Sequence, residues 1–128
     1  MVDPREIKQL PFMIQYIFSD NPIEFINFIV KVFNAKELRE RAVHDNIVAN
    51  ALFDIGGNLF EISQARKQFP QVTHSFHLYT NDIANILQAA EKEGSQLKYK
   101  YEKMDYGDEE SWIIDPFGNN WFLATPLK

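Results

Sequence analysis

Two stretches of the chain share one pattern of hydrophobic and polar positions: an apolar run, a glycine-containing turn, and a second run in which large apolar residues alternate. The first stretch covers residues 53–63 and turns at Gly56-Gly57, and the second covers residues 112–125 and turns at Asp115-Pro116-Phe117-Gly118. This pattern predicts two β-hairpins. Aligning Gly57 with Gly118 matches Asn58 with Asn119, Phe60 with Trp121, Glu61 with Phe122 and Ile62 with Leu123.

The same order of elements is predicted around each hairpin. The first half reads as a strand over 12–18, a helix over 23–33, a short strand over 38–44, and strands over 47–54 and 59–63. Asp20 or Asn21 is suited to cap that helix, with Pro22 in its first turn. A polar linker over 64–72 leads to the second half: a strand over 75–80, a helix over 83–92 that Gly94 ends, a strand over 97–104, an acidic loop over 106–110, and the closing hairpin.

The spacing of these landmarks indicates a duplication. Asp20 and Asp82 are 62 residues apart, and Gly57 and Gly118 are 61 apart. Two landmarks that keep nearly the same offset favour a β-α-β-β-β unit that occurs twice. We therefore predict an α+β fold of two βαβββ modules in a cupped mixed sheet, as one domain over 1–128 with module 1 at about 10–66 and module 2 at about 73–126.

The repeat also predicts which side chains share a face, because side chains alternate along a strand. At the offset of 62, residues Met13, Gln15 and Ile17 correspond to Ser75, His77 and Tyr79. We expect the large apolar set to pack under the helices and the mixed set to line a cavity for a small molecule. The predicted cavity residues are Gln15, Glu61, Ser63, Ser75, His77, Tyr79 and Phe122.

Composition excludes several classes of function. Of the 128 residues, 45% are hydrophobic, so a sizeable core is expected. The net charge is -5, which argues against a nucleic-acid partner because its phosphates need a basic surface. There is no cysteine, which excludes disulfides, thiolate metal sites and a cysteine nucleophile. No apolar run approaches the roughly 20 residues that span a bilayer. The expectation is a cytoplasmic protein with no membrane partner.

The repeated unit and the ending Asp115-Pro116-Phe117-Gly118-Asn119-Asn120-Trp121 resemble the vicinal-oxygen-chelate superfamily. That superfamily includes glyoxalase I, bleomycin-resistance proteins, fosfomycin-resistance enzymes and extradiol dioxygenases. Residues 24–28, 32–35 and 37–38 resemble the first helix of its PhnB-like single-domain group. The resemblance covers roughly residues 10–126 and implies two βαβββ modules and commonly a homodimer.

The resemblance also implies a metal site, which this sequence does not keep. Metal enzymes of the superfamily place one ligand on the first and one on the fourth strand of each module. Carried over, those positions are Met13, Glu61, Ser75 and Phe122, of which only Glu61 suits a divalent metal. A single carboxylate does not supply the three protein ligands of a catalytic zinc site. We therefore expect no metal cofactor and no metal-dependent reaction.

Several residues have both a functional and a structural interpretation. Glu61 is interpreted as a cavity carboxylate for a cationic group or as a base, and alternatively as a strand carboxylate paired with Gln15 or a lysine. His77 is interpreted as a ligand contact or as a strand histidine with a satisfied ring, the interpretation we favour. Tyr79, Trp112 and Phe122 are interpreted as an aromatic wall or as core. The acidic loop over 106–110 is interpreted as solvated, or as favouring cationic ligands if it overhangs the cavity.

The leading hypothesis is a metal-independent small-molecule-binding protein that sequesters a cationic or aromatic ligand. The first alternative is a glyoxalase-like lyase or dioxygenase with relocated divalent-metal ligands, or an isomerase that uses Glu61 as a base. The second alternative is an interaction module whose cavity is filled by side chains such as Phe122, Met13 and Ile17.

Overall fold

The computed structural model describes residues 13–127. The chain divides into two compact units, the first ending at Val72 and the second beginning at Thr73. The first unit contains β1 (Gln15–Ser19), α1 (Pro22–Phe33), β2 (Lys36–Glu37), β3 (Ala42–His44), β4 (Ile47–Ile55) and β5 (Asn58–Gln64). The second unit contains β6 (Ser75–Tyr79), α2 (Ile83–Lys92), β7 (Gln96–Lys103), β8 (Asp108–Ile114) and β9 (Asn120–Pro126).

Each unit forms its own sheet with the same topology. The strand order is β1-β5-β4-β2 in the first sheet, where β3 also pairs with β4, and β6-β9-β8-β7 in the second. In both units the first strand pairs in parallel with the last, and the remaining pairs are antiparallel. The predicted α+β fold with two βαβββ modules is confirmed. The predicted strand over 38–44 is wrong in extent, because the chain leaves β4 after Leu38 and pairs with it again from Ala42.

The helices begin and end where the predicted capping residues lie. Asn21 is the N-cap of α1, Pro22 is its first residue, and Asn34 ends it in a left-handed conformation with φ 56°. Asp82 is the N-cap of α2, and Gly94 follows its C-terminus with φ 93°. No helix within residues 13–127 has the length and apolar character needed to cross a membrane.

Asp115 organises the turn that closes the second sheet. Its Oδ1 accepts hydrogen bonds from the backbone N–H groups of Phe117 and Asn119, at 2.8 and 2.9 Å. Its Oδ2 accepts from the Asn119 side-chain amide at 3.1 Å and from the Trp121 indole at 2.9 Å. Asp115 is 3% exposed, so the Asp-Pro-Phe-Gly-Asn ending builds a buried turn that anchors the core tryptophan.

The register of the first strand corrects one prediction. Tyr16 pairs with Glu61 and His77 pairs with Phe122, so the two first strands are related by an offset of 61 and not 62. The helix N-caps Asn21 and Asp82 obey the same offset, which means that Asp20 is not the counterpart of Asp82. A slip of one residue moves every side chain of a strand to the opposite face.

Gln15 is therefore misplaced in the predicted cavity set. It pairs with Phe60, and on the same face Ile17 pairs with Ile62. Ile17 and Ile62 are 3% and 0% exposed, because α1 covers this side of the sheet. The face that carries Glu61 carries Tyr16 instead of Gln15.

Candidate functional site

One face of the second sheet gathers most of the predicted cavity residues. Ser75 pairs with Asn120, His77 with Phe122 and Tyr79 with Ala124, which places these side chains on the same side of β6 and β9. On β8, Asp108, Glu110 and Trp112 pair with Pro126, Ala124 and Phe122, so they share that side. We call this surface the carboxylate–aromatic face; its members are Ser75, His77, Tyr79, Tyr99, Tyr106, Asp108, Glu110, Trp112 and Phe122.

Two buried carboxylates form the polar end of this face. Asp108 and Glu110 are each 5% exposed. Tyr79 donates its hydroxyl hydrogen to Asp108 Oδ2 at 2.7 Å. Tyr99 donates to Glu110 Oε2 at 2.7 Å, and Tyr106 donates to Glu110 Oε1 at 2.8 Å. Three phenol donors thus replace part of the water that the carboxylates lose on burial.

His77 lies beside both carboxylates. Its Nε2 is 3.2 Å from Glu110 Oε1 and 3.8 Å from Asp108 Oδ2, and its side chain is 39% exposed. Among the described residues no lysine or arginine nitrogen lies within 4.0 Å of either carboxylate. The His77 imidazole is therefore the only basic side chain beside the two carboxylates among the described residues.

The tyrosines are held in their protonated form. The hydrogen bond to Glu110, with smaller contributions from desolvation and nearby negative charge, raises the pKa of Tyr106 to about 12. Burial, followed by the hydrogen bond to Glu110, raises the pKa of Tyr99. The hydrogen bond to Asp108 raises the pKa of Tyr79. All three phenols consequently remain donors at neutral pH.

Aromatic rings form the other end of the face. The Trp112 and Phe122 rings are stacked with centroids 5.7 Å apart, and Tyr99 meets Trp112 edge-on at 5.6 Å. Trp112 Nε1 donates to Asn120 Oδ1 at 3.0 Å, and Asn120 Nδ2 donates to Ser75 Oγ at 3.2 Å. Ser75 and Asn120 thereby fix the orientation of the indole. The register places Tyr79, Trp112 and Phe122 on one face of the second sheet, with Tyr79 at its carboxylate end.

The other predicted residues belong to the first unit. Glu61 has Arg39 as its ion-pair partner, with 3.7 Å between Oε1 and Nη2. Ser63 is 2% exposed and its hydroxyl donates to the Ala49 carbonyl at 2.6 Å, so it serves the interior of this unit. The interpretation of Glu61 as a carboxylate paired with Gln15 or a lysine is wrong as to the partner, which is an arginine.

The residues present do not fit the metal centre that the sequence resemblance implies. Ser75 and Phe122 lie on the carboxylate–aromatic face. Serine offers only a weak hydroxyl ligand, and phenylalanine offers no ligand atom. With the corrected offset of 61, the counterpart of Ser75 is Ile14 and not the predicted Met13, which precedes β1 and is 85% exposed. Neither side chain is a ligand for a hard divalent ion. Within residues 13–127 no group of three or more His, Cys, Asp or Glu side chains is arranged to hold a metal ion.

A concavity on the helix side of the second sheet is distinct from this face. It has a volume of about 280 Å³ and is lined by residues of α2, β7 and β8 such as Leu87, Leu97 and Ile113. None of its lining residues belongs to the carboxylate–aromatic face. Its walls offer neither the paired carboxylates nor the stacked rings, so we place the candidate site on the opposite side of the sheet.

Sequence reasoning missed the carboxylates and two of the tyrosines. Residues 108–110 were predicted to belong to an acidic loop, either solvated or overhanging the cavity, and the loop assignment is wrong because β8 begins at Asp108. The signal was the period of two that runs back from Trp112 through Glu110 to Asp108. Tyr99 and Tyr106 gave no comparable signal, because two irregularities in the pairing of β7 with β8 obscure the alternation around Tyr99 and a turn carries Tyr106.

Comparisons with known proteins support the fold. No family model matches the sequence. An uncharacterized protein of Mycobacterium tuberculosis is 24% identical over an alignment of 137 positions that covers 98% of this chain and 81% of that protein. TioX from Micromonospora has a TM-score of 0.75 at 14% identity, covering 92% of this chain and all of its own.

Two further solved structures have a similar fold. A member of the glyoxalase/bleomycin resistance protein/dioxygenase superfamily from Sphaerobacter thermophilus has a TM-score of 0.67 at 16% identity, over 91% of this chain and 98% of its own. The PhnB protein from Bacillus cereus has a TM-score of 0.66 at 15% identity, over 90% and 99%. The chain therefore has the fold of this superfamily, and the resemblance noted in the sequence is confirmed at the level of the fold.

Proposed function

We propose that this protein binds a small organic cation that carries an aromatic ring, and that it does so on the carboxylate–aromatic face without a metal. The observation that supports this most directly is the pair of buried carboxylates, Asp108 and Glu110, which have no lysine or arginine partner among the described residues. The superfamily fold supports a small-molecule role in general terms, and the chemistry of this face narrows the class of ligand.

The electrostatics favour a cation over an anion or a neutral molecule. Burying two carboxylates is costly unless charge or hydrogen bonds compensate them. The three tyrosines satisfy hydrogen bonds but add no positive charge. A ligand ammonium group that lies near Glu110 Oε1 and Asp108 Oδ2 would supply that charge, and the exposed rings of Tyr79 and Tyr106 would add cation–π attraction.

The geometry of β8 sets the spacing of the ligand. Glu110 and Trp112 are two residues apart on the same face, which corresponds to roughly 7 Å along a strand. A ligand that reaches both places its positive nitrogen roughly 7 Å from the centre of its ring. Ser75, His77, Tyr79 and Phe122 are the sequence-predicted residues that we retain in this site, with Asp108, Glu110 and Trp112 added.

The test compares phenylpropylamine, which is protonated at neutral pH, with the neutral phenylpropanol. Calorimetric titration and thermal shift are expected to show binding of the amine that salt weakens, and little binding of the alcohol. Glu110→Gln removes one charge at nearly constant shape and should weaken amine binding about tenfold, which corresponds to about 1.4 kcal/mol.

Glu109→Gln is the matched control. Glu109 lies on the same strand and pairs with Thr125, so its side chain faces the opposite side of the sheet from Glu110. Replacing it with glutamine changes the net charge of the protein by the same amount. Equal binding of amine and alcohol, or equal weakening by both substitutions, would refute the proposal. The homodimer that the resemblance implies remains a prediction, which sedimentation of the same samples would test.

A further inference from the structure

Arg39 is held in the first unit with most of its hydrogen-bonding capacity unused. It lies between β2 and β3, and its side chain is 23% exposed. Its Nη2 donates to Asn50 Oδ1 at 2.7 Å, while Glu61 Oε1 is 3.7 Å away and therefore too distant for a hydrogen bond. Nε and Nη1 have no hydrogen-bond partner within the described part of the chain. A guanidinium has five N–H donors, so several remain for another acceptor.

An ordered chain of hydrogen bonds fixes the position of this guanidinium. Ser63 Oγ donates to the Ala49 carbonyl at 2.6 Å, so it accepts from the Tyr16 hydroxyl at 2.8 Å. The Tyr16 oxygen in turn accepts from Asn50 Nδ2 at 3.3 Å. From Arg39 to the Ala49 carbonyl, each group thus donates a hydrogen bond to the next. Hydrogen bonds in such a chain strengthen one another. The arginine is consequently preorganised before any ligand arrives.

A planar aromatic surface lies beside this network. The rings of Tyr16 and Phe18 are stacked at 4.6 Å with an interplanar angle of 10°, and Phe18 stacks on Phe69 at 5.0 Å. Tyr16 and Phe18 pair with Glu61 and Ser63, so they lie on the same face of the first sheet. Tyr16 is 39% exposed, whereas the Arg66 guanidinium lies over the Phe69 ring, 4.9 Å from its centroid, so Tyr16 is the part of the stack that is open to a flat molecule.

We propose that this face of the first unit binds a planar aromatic carboxylate. The carboxylate accepts hydrogen bonds from the remaining N–H groups of Arg39, and the ring lies against the exposed part of the Tyr16–Phe18–Phe69 stack. The Glu61 carboxylate competes with the ligand for Arg39, since it lies 3.7 Å from the guanidinium as an ion-pair partner but does not hydrogen-bond to it. The site differs in residues and in the charge of its ligand from the carboxylate–aromatic face, and it does not depend on the proposed function.

Benzoate is the probe, and the isosteric neutral benzamide is its control. Chemical-shift titration by NMR should show benzoate binding that perturbs Tyr16 and Phe18, with benzamide much weaker. Arg39→Gln should weaken benzoate binding about tenfold or more, because it removes the charged donor. Arg41→Gln is the matched control, since Arg41 is two residues away and bonded to Glu37 at 2.9 and 3.0 Å; it should leave benzoate binding unchanged.

Glu61→Gln provides the sharpest outcome. Removing the competing negative charge should tighten benzoate binding several-fold, whereas a merely structural Arg39–Glu61 pair would give unchanged or weaker binding. Benzoate binding that survives Arg39→Gln, or that Glu61→Gln leaves unchanged or weakens, overturns the proposal. If Arg39→Gln fails to fold by circular dichroism, Arg39→Lys and Glu61→Gln decide, because lysine keeps the charge but loses the planar fork and should also weaken binding.

Discussion

Glu110 is the residue on which the hydrogen bonds of the second unit converge. It accepts from Tyr99 and Tyr106, lies 3.2 Å from His77 Nε2, and is almost fully buried. The tyrosines serve two purposes here, because their hydroxyls satisfy the carboxylates and their rings remain part of the binding face. The phenols supply hydrogen bonds but no positive charge, and the proposed cationic ligand would supply that charge.

The first prediction concerns the phenol of Tyr106. Its pKa is raised from 10.0 to about 12 in the folded protein, so the stabilising hydrogen bond is fully present below about pH 10. That contribution is lost as the pH rises from about 10 through about 12. Spectrophotometric titration of tyrosinate absorbance should show a component near pH 12 that Tyr106→Phe removes. A component of unchanged size in the variant would contradict the assignment.

At the scale of elements, turns and registers decide which side chains meet. The offset of 61 between β1 and β6 places Tyr16 and His77 at equivalent positions, and the one-residue error in the predicted offset placed Gln15 there instead. The turn before β9 matters in the same way, since Asp115 bonds to Asn119 and Trp121 and so sets where β9 begins. Phe122 and Asn120 face the site because that turn has one definite length.

The second prediction concerns the stability of variants at Gly118. Its φ of 89° is unfavourable for residues with a side chain, yet a Cβ atom there would meet nothing within 4 Å. Gly118→Ala should therefore destabilise the fold through backbone strain alone, by about 1–2 kcal/mol. Gly118→Asn should cost less, because asparagine tolerates positive φ better. Denaturant unfolding measures both, and an alanine variant as stable as the parent would exclude strain at this turn.

At the scale of the whole molecule, the net charge of -5 hides two different local chemistries. On the carboxylate–aromatic face the second unit buries Asp108 and Glu110 with no lysine or arginine partner among the described residues, whereas the first unit holds Arg39 with donors to spare. The duplicated modules share a topology but present different side chains at equivalent positions: Tyr16 and Glu61 in one, His77 and Phe122 in the other. Shared architecture with divergent faces is the reason that fold resemblance alone does not identify the ligand.

The third prediction concerns metal. Because the donor set does not suit a divalent ion, dialysis against a chelator and re-addition of Mn²⁺ or Zn²⁺ should leave the Tm unchanged. A metal bound at about a hundred times its Kd would add about 2.7 kcal/mol of stability, a rise in Tm of roughly 10 °C for a chain of this length. Stoichiometric metal that survives dialysis, with such a rise, would restore the alternative of a metal-dependent lyase or dioxygenase.

Much of the fold could be predicted because its signals are local. Each of these signals depends on a few neighbouring residues: the helix caps at Asn21 and Asp82, the glycine turns, and the alternation through Phe60 and Ile62. Two sheets of matching topology follow from repeating those signals. Ser75, His77, Tyr79 and Phe122 were placed on one face correctly for the same reason, since a strand of regular period needs no knowledge of its partners.

The rest depended on contacts between residues distant in the chain. The sequence by itself determined the α+β class and the duplication, because these depend on residue type and spacing. Only the tertiary structure decided that Asp108 and Glu110 are buried, that Tyr79, Tyr99 and Tyr106 donate to them, and that Arg39 approaches Glu61. The reason is that burying a charge is favourable only when donors from other strands are brought to it, and that pairing is set by the register of the whole sheet.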